Sequence, residues 1–174
     1  MRRAVVLISV VVLAGCGSAE PAGVKPVAWA KAVCGALSPW RTKLDTLTSQ
    51  TQRQLTAQTT PSQAKQNLVG LLAGMEDASE TARGKVAGAG TPAVDDGAKI
   101  AERFVRSLTG VRDAYGHART TVAGLDPRDG KMFYAAVRAA FGTLQSEYAA
   151  TALDTDKFTS GTLKEAFNEV PECH

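Results

Sequence analysis

Histidine is almost missing from this sequence: His117 and His174 are the two among 174 residues. Neither HExxH nor the paired Cys/His spacings of zinc sites occur, so no metal ligands are expected. Asp113 and His117 stand four apart on a predicted helix, but two ligands from one helix are too few, and they read as a surface pair. Walker A and GxSxG motifs are also absent, which removes the simplest signatures of phosphate handling and of a serine nucleophile. No apolar run reaches the roughly 20 residues of a membrane-spanning helix. Neither sign of charge dominates. Lys and Arg total 20 and Asp and Glu 17, and Arg2 and Arg3 fall in a leader-like segment, leaving 18 against 17. Such a balance lacks the basic excess of a nucleic-acid binder. Aromatics are only 6%, so the core must rest on small aliphatic side chains. With 44% hydrophobic and 21% charged residues, the chain is nevertheless composed like a folded domain.

What is present starts at the N-terminus. Arg2 and Arg3 precede Ala4–Ala14, a run that is apolar but for Ser9, and the run ends in Leu13-Ala14-Gly15-Cys16. A charged n-region, a short h-region and small residues before a cysteine have the form of an export signal. The last four residues resemble a bacterial lipobox, in which the Cys thiol receives a diacylglyceryl group, palmitate being a common acyl chain, and the peptide is cut just before it. On that reading residues 1–15 are a lipoprotein signal peptide, and Cys16 is the lipidation site. Residues 16–25 are then the lipidated Cys and a flexible tether, GSAEPAGVK, spanning about 30 Å when extended. Residues 26–174 form the folded domain. Two acyl chains give stable anchoring where one does not, so the expected place is the outer face of the cytoplasmic membrane.

Lipidation of Cys16 leaves Cys34 and Cys173, an even pair in a compartment where disulfides persist, and a bridge between them is expected. Neither has a CxxC partner, so redox catalysis is not expected.

The folded part reads as helix throughout. Ser38-Pro39, Thr60-Pro61, Thr91-Pro92 and Asp126-Pro127 each pair a capping residue with a proline suited to the first helical position. Thr60 with Gln63 forms a capping box, and Asp126 with Asp129 resembles one. Behind these starts run apolar tracks at three-four spacing. The longest is Val94, Gly97, Ala101, Phe104, Leu108, Val111, Tyr115, Ala118, Val122, Leu125, with no charge on it. Others run from Ala64 to Val86, from Phe133 to Tyr148 and from Val33 to Thr51, the last interrupted by Pro39. Proline should kink or divide that helix into pieces near 27–37 and 39–58. Thr162-Leu163-Lys164-Glu165 reads as a capping box opening a short last helix that Pro171 stops. The expected fold is all-α, an up-and-down four-helix bundle with a short C-terminal helix, closed by the disulfide.

Other patterns point to no chemistry. Gly88-Ala89-Gly90-Thr91-Pro92-Ala93 fits a dinucleotide loop in form, but a helix rather than a strand precedes it, and it reads as a turn. Asp154, Asp156 and Glu165 stand at calcium-loop spacing, but Phe158 and Thr159 occupy positions that need a ligand and a glycine. Glu76, Asp77 and Glu80 fall on a predicted solvent face, and Lys99, Arg103 and Arg106 form a short basic stripe that reads as solvated. Trp29 and Trp40 lie eleven residues apart, which brings them near one helix face, in the core or exposed beside the anchor.

The lipobox and tether, the segment Ala28-Trp29-Ala30-Lys31-Ala32-Val33-Cys34-Gly35-Ala36-Leu37-Ser38-Pro39-Trp40 and the terminal Pro171-Glu172-Cys173 together resemble small exported lipoproteins of actinobacteria. The resemblance implies a helical, disulfide-closed surface lipoprotein and carries over no catalytic residues and no cofactor. The expected function is therefore that of a non-catalytic binding or scaffold module, held to the membrane by its lipid and facing an envelope protein partner. The alternative is a small-molecule or lipid carrier, with a cavity between the helices lined by small residues of the third and fourth segments.

Overall fold

A computed structural model describes residues 23–151 and 160–174. Four long helices, α1 (Pro26–Gln54), α2 (Pro61–Gly88), α3 (Gly97–Gly124) and α4 (Gly130–Ala150), are followed by the short α5 (Gly161–Glu169) and a 3-10 turn at Pro171–Cys173. Among the described residues there are no strands, only one isolated parallel bridge between Val24 and Pro92. The all-α bundle with a short last helix is the observed fold, and Cys34 is bonded to Cys173, with their Cα atoms 5.0 Å apart.

The apolar tracks become the buried faces. On α3, Phe104, Leu108, Val111, Tyr115, Ala118 and Val122 are buried, joined by Ile100 and Ala114 on a second row. On α2 the buried row runs from Ala64 through Leu68, Leu71 and Met75 to Val86. The core has two tiers. In one, Leu68, Leu72 and Met75 of α2 and Val111, Tyr115 and Val122 of α3 meet Ala140 and Leu144 of α4. In the other, Trp29, Val33 and Ala36 of α1 meet Ala82 and Val86 of α2, Phe104 and Leu108 of α3, and Leu163 of α5. The fourth position of the bundle is thus shared: α4 covers one tier from the side of α3, and α5 covers the other from the side of α1. An aromatic triad locks the second tier. Trp29 meets Phe104 edge-on at 5.3 Å and Phe167 at 5.9 Å, while Phe104 and Phe167 stack at 6.2 Å. The bridge to Cys173 lies beside this triad, fixing the chain end to α1.

Helix boundaries depart from expectation at three of the four proline signals. Thr60-Pro61 opens α2 as read, with Gln63 completing a reciprocal capping box. Ser38-Pro39 opens nothing: α1 runs unbroken through Pro39 and ends at Gln54, short of residue 58. Proline cannot bond the Gly35 carbonyl, but Gly35, Ser38 and Pro39 are all exposed, so that carbonyl lies on the watered side of the helix. Buried Cys34 and Ala36 before it and half-buried Trp40 after it pack both halves against the core.

Thr91-Pro92 lies in the α2–α3 connection, and α3 begins at Gly97. The backbone there is already committed: the Val24 amide donates to the Thr91 carbonyl and the Ala93 amide donates to the Val24 carbonyl, both at 2.8 Å. Trp29 Nε1 donates to the Gly90 carbonyl at 2.9 Å, and Gly90 itself takes the left-handed backbone that closes α2. The end of the expected tether is thereby strapped to the bundle. The third signal fails because the Asp126 carboxylate is taken by the Arg128 amide and guanidinium, and Asp129 caps α4 through the Met132 amide. Ser160, not Thr162, caps α5, through the Leu163 amide. Tyr148, the last residue on the α4 track, is 39% exposed, its ring tilted against that of Tyr115.

Candidate functional site

The pairing of charged side chains distinguishes the faces of the bundle. Seven Lys and Arg side chains of the described residues form ion pairs: Lys31, Arg83, Lys99, Arg106, Arg112, Arg119 and Arg128. Glu80 of α2 accepts from Arg83 on its own helix at 2.5 and 2.8 Å and from Arg112 on α3 at 2.7 Å, and Arg112 also grips Asp113. These guanidiniums, Arg83 foremost, hold the Glu80 carboxyl down at a pKa of about 2. Glu76 accepts from Arg119 of α3 at 2.7 Å. The carboxylates expected to be solvated thus lace α2 to α3, Asp77 apart. In the basic stripe Lys99 pairs with Asp96, Arg106 pairs with Glu102, and Arg103 is half-buried and engaged. Asp113 and His117 do not share a site, because His117 faces Glu147 of α4 at 3.3 Å. Burial, with Tyr148 adding a smaller charge effect, pushes the Tyr115 hydroxyl up to about 12.

On the opposite side of α2, toward α1, a groove of about 220 Å³ opens. Ala36, Trp40 and Lys43 of α1 face Asp77, Ala78, Ala82 and Lys85 of α2 across it. The alanines are the consequence of a small-residue interface, in which helices approach closely and leave no bulk to fill the surface notch. Trp40 is half-buried and fixed: its Nε1 donates to Ser79 Oγ at 3.1 Å, and Ser79 Oγ donates to the Met75 carbonyl at 2.7 Å. Ser79 is fully buried, and this relay satisfies both of its roles. Neither Lys43, Asp77 nor Lys85 takes part in an ion pair or a side-chain hydrogen bond within the described structure.

The two tryptophans therefore divide. Trp29 is core, fully buried, and Trp40 forms a wall of the groove. The carrier alternative expected a cavity between the helices lined by small residues of the third and fourth segments, whereas the groove is lined by α1 and α2. Just past the end of α4 the chain is held against α3: Ser107 Oγ donates to the Thr151 carbonyl at 2.6 Å, and a Cβ on Gly110 would stand 2.5 Å from Thr151 Cγ2. A second exposed feature is α4, whose Met132 and Tyr134 are 66% and 40% exposed.

Of the expected site residues, Cys34 and Cys173 are joined, and Cys16 lies outside the described residues. So do Asp154 and Asp156 of the calcium-like spacing. Among the described residues no group of three or more His, Cys, Asp or Glu is placed to hold a metal ion, and no helix is long and apolar enough to cross a membrane. The groove was missed in the sequence because Lys43 and Lys85 lie on different helices and share no local pattern. The one local signal was Ser79, a polar residue between Met75 and Ala82 on an apolar row. Comparison of the chain with protein-family models, with curated proteins and with solved structures finds no match.

Proposed function

We propose that this protein is an extracytoplasmic lipoprotein, anchored through Cys16 on the outer face of the cytoplasmic membrane, that acts as a non-catalytic binding module for an envelope protein. Residues 1–15 are its signal peptide. The observation that carries the reading is the fate of the three cysteines. Two are joined across 139 residues of sequence, as suits an oxidising compartment, and the third ends an export-like leader in the lipobox sequence Leu13-Ala14-Gly15-Cys16. Binding is supported by an unspent surface: a groove with a fixed indole and unpaired charges, and a helix, α4, with exposed Met132 and Tyr134.

The test is Cys16→Ala in cells. The wild-type protein should partition into detergent with a diacylated N-terminal Cys16, and the variant should be released or remain unprocessed. A wild-type N-terminus cut elsewhere, or an unmodified Cys16, overturns the anchoring. Crosslinking in the intact envelope tests the binding role, which fails if no envelope protein is captured from any face.

A further inference from the structure

We propose that the α1–α2 groove is the docking point for an acidic protein segment, with partner carboxylates paired to Lys43 and to Lys85 and an adjacent apolar side chain laid against Trp40. The proposal rests on the binding-module reading and adds to it the chemistry of the partner. Four observations converge on it.

The groove, at about 220 Å³, lies below the roughly 300–1,000 Å³ of small-molecule sites and suits two or three side chains of a larger partner. Its apolar part is already organised. Trp40 is tied through Ser79 to the α2 backbone, so it gives contact area without losing rotamer freedom on binding. Its cations are unspent and come from opposite walls, while Arg83, Arg112 and Arg119 on the neighbouring face are each held by a carboxylate. Asp77 is the one acid lining the groove, so the lining keeps a net positive charge, and a segment of the opposite sign is the complementary one. A free phosphate would satisfy the lysines but leave the Trp40 indole and the half-buried Ala78 methyl uncovered. A peptide carrying an apolar residue beside its carboxylate covers both.

The probe is the acetylated, amidated peptide Ala-Leu-Glu-Leu-Glu-Ala, titrated into the isotope-labelled, disulfide-bonded domain and followed by amide and indole N–H resonances. The indole N–H of Trp40 and the amides of Ala78 and Ala82 should move, and the indole N–H of Trp29, buried in the core, should not. Replacing both Glu residues of the peptide by Gln should weaken binding about five- to tenfold, the scale of two exposed ion pairs. The double variant Lys43→Gln/Lys85→Gln should lose a similar factor, and Asp77→Asn should tighten binding about twofold. All three changes lie on exposed groove-rim side chains, and an unchanged spectrum away from the groove verifies the fold. No movement of the Trp40 resonance at about 10 mM peptide, equal binding of the Gln peptide, or inorganic phosphate moving Trp40 as strongly as the peptide does, each overturns the proposal.

A photocrosslinker at Thr81, on the groove, and another at Tyr134, on α4, separate this proposal from the broader reading. A silent groove with capture from Tyr134 removes the docking site and leaves the binding module standing. Silence from Thr81 removes the docking site whatever Tyr134 captures, and the binding module falls only when no face of the domain captures an envelope protein.

Discussion

Two glycine-to-alanine changes should move stability in opposite directions, and the reason is a single loop. Gly84 is an exposed position of α2 where an added Cβ would meet nothing within 4 Å. Gly84→Ala should therefore stabilise by about 0.5–1 kcal/mol, the usual gain of alanine over glycine inside a helix. Gly97 is the first residue of α3 and is buried, and its Cβ would stand 2.1 Å from the Pro92 carbonyl oxygen. A C···O contact needs about 3.3 Å, so the loop must retreat by roughly 1 Å. The same peptide stretch carries the strap: Thr91 and Ala93 bond Val24 on both sides of Pro92. Overpacking of this kind costs about 1–3 kcal/mol, and each strap hydrogen bond lost adds about 0.5–1.5 kcal/mol. Set against the small helix gain at a first-turn position, Gly97→Ala should lose about 2–3 kcal/mol. Urea titration of the two variants reads the difference directly, and limited proteolysis near Lys25 should quicken only in Gly97→Ala. If Gly97→Ala proves as stabilising as Gly84→Ala, Val24 is not strapped to the α2–α3 connection and the tether is longer than drawn.

Removing the disulfide as Cys34→Ala/Cys173→Ala should destabilise by about 5 kcal/mol on loop entropy for a separation of 139 residues, less any native strain, seen as a lowered urea midpoint against the oxidised protein. Phe104→Ala empties the place between Trp29 and Phe167 and should cost about 3–5 kcal/mol. Glu102→Ala, an exposed half of a surface pair, should change stability by less than about 0.5 kcal/mol; similar losses at both sites would refute the register of α3. Glu80 has a folded pKa lowered to about 2 from 4.5, so its contribution is present above the unfolded value and lost as pH falls through the folded one. The stability gap between wild type and Glu80→Gln should accordingly close on acidification from above pH 4.5 toward 2, and a gap independent of pH over that window would show that the Arg83 and Arg112 contacts do not form in solution.

What the sequence made legible was periodic, and what it hid was non-local. The α3 track predicted Phe104, Leu108, Val111, Tyr115, Ala118 and Val122 as buried because a helix can bury only one stripe, and the stripe repeats every three or four residues. The pairing of Cys34 with Cys173 followed from counting. Capping signals were read correctly where the cap was self-contained: Thr60 and Gln63 satisfy each other. At Thr91 the signal misled because a distant group competed for the same backbone. Val24, 67 residues from Thr91 in sequence, takes the Thr91 carbonyl, and no local rule contains that contact. Glu76 and Glu80 failed in the same way. On their own helix they look like solvated charge, and only the approach of Arg119 and Arg112 from α3 turns them into crosslinks.

The first helix shows why this limit falls hardest on function. Over fifteen residues it carries Trp29 in the aromatic triad, Cys34 in the bridge, Ala36 and Trp40 on the groove, and Lys43 unpaired beside it. Trp29, Cys34 and Trp40 are each set by a different partner, Phe104, Cys173 and Ser79, and Lys43 by nothing within the described structure. A helix that had only to close the core would have Pro39 against it, since the proline forfeits a backbone bond at the centre of the element. Here that loss falls on the exposed side, and the unbroken α1 serves different tiers at its two ends, the strap and bridge at one and Leu44 and Leu47 at the other. The groove sits where those tiers meet, with Trp40 packed against both. A ligand pressing on Trp40 would therefore act on the Ser79 relay of α2 at the junction of the two halves of the core. Binding there should raise the stability of both tiers together, so slowed hydrogen exchange at Leu72 and at Val86 on peptide binding is expected, and protection confined to one tier would place Trp40 outside that junction.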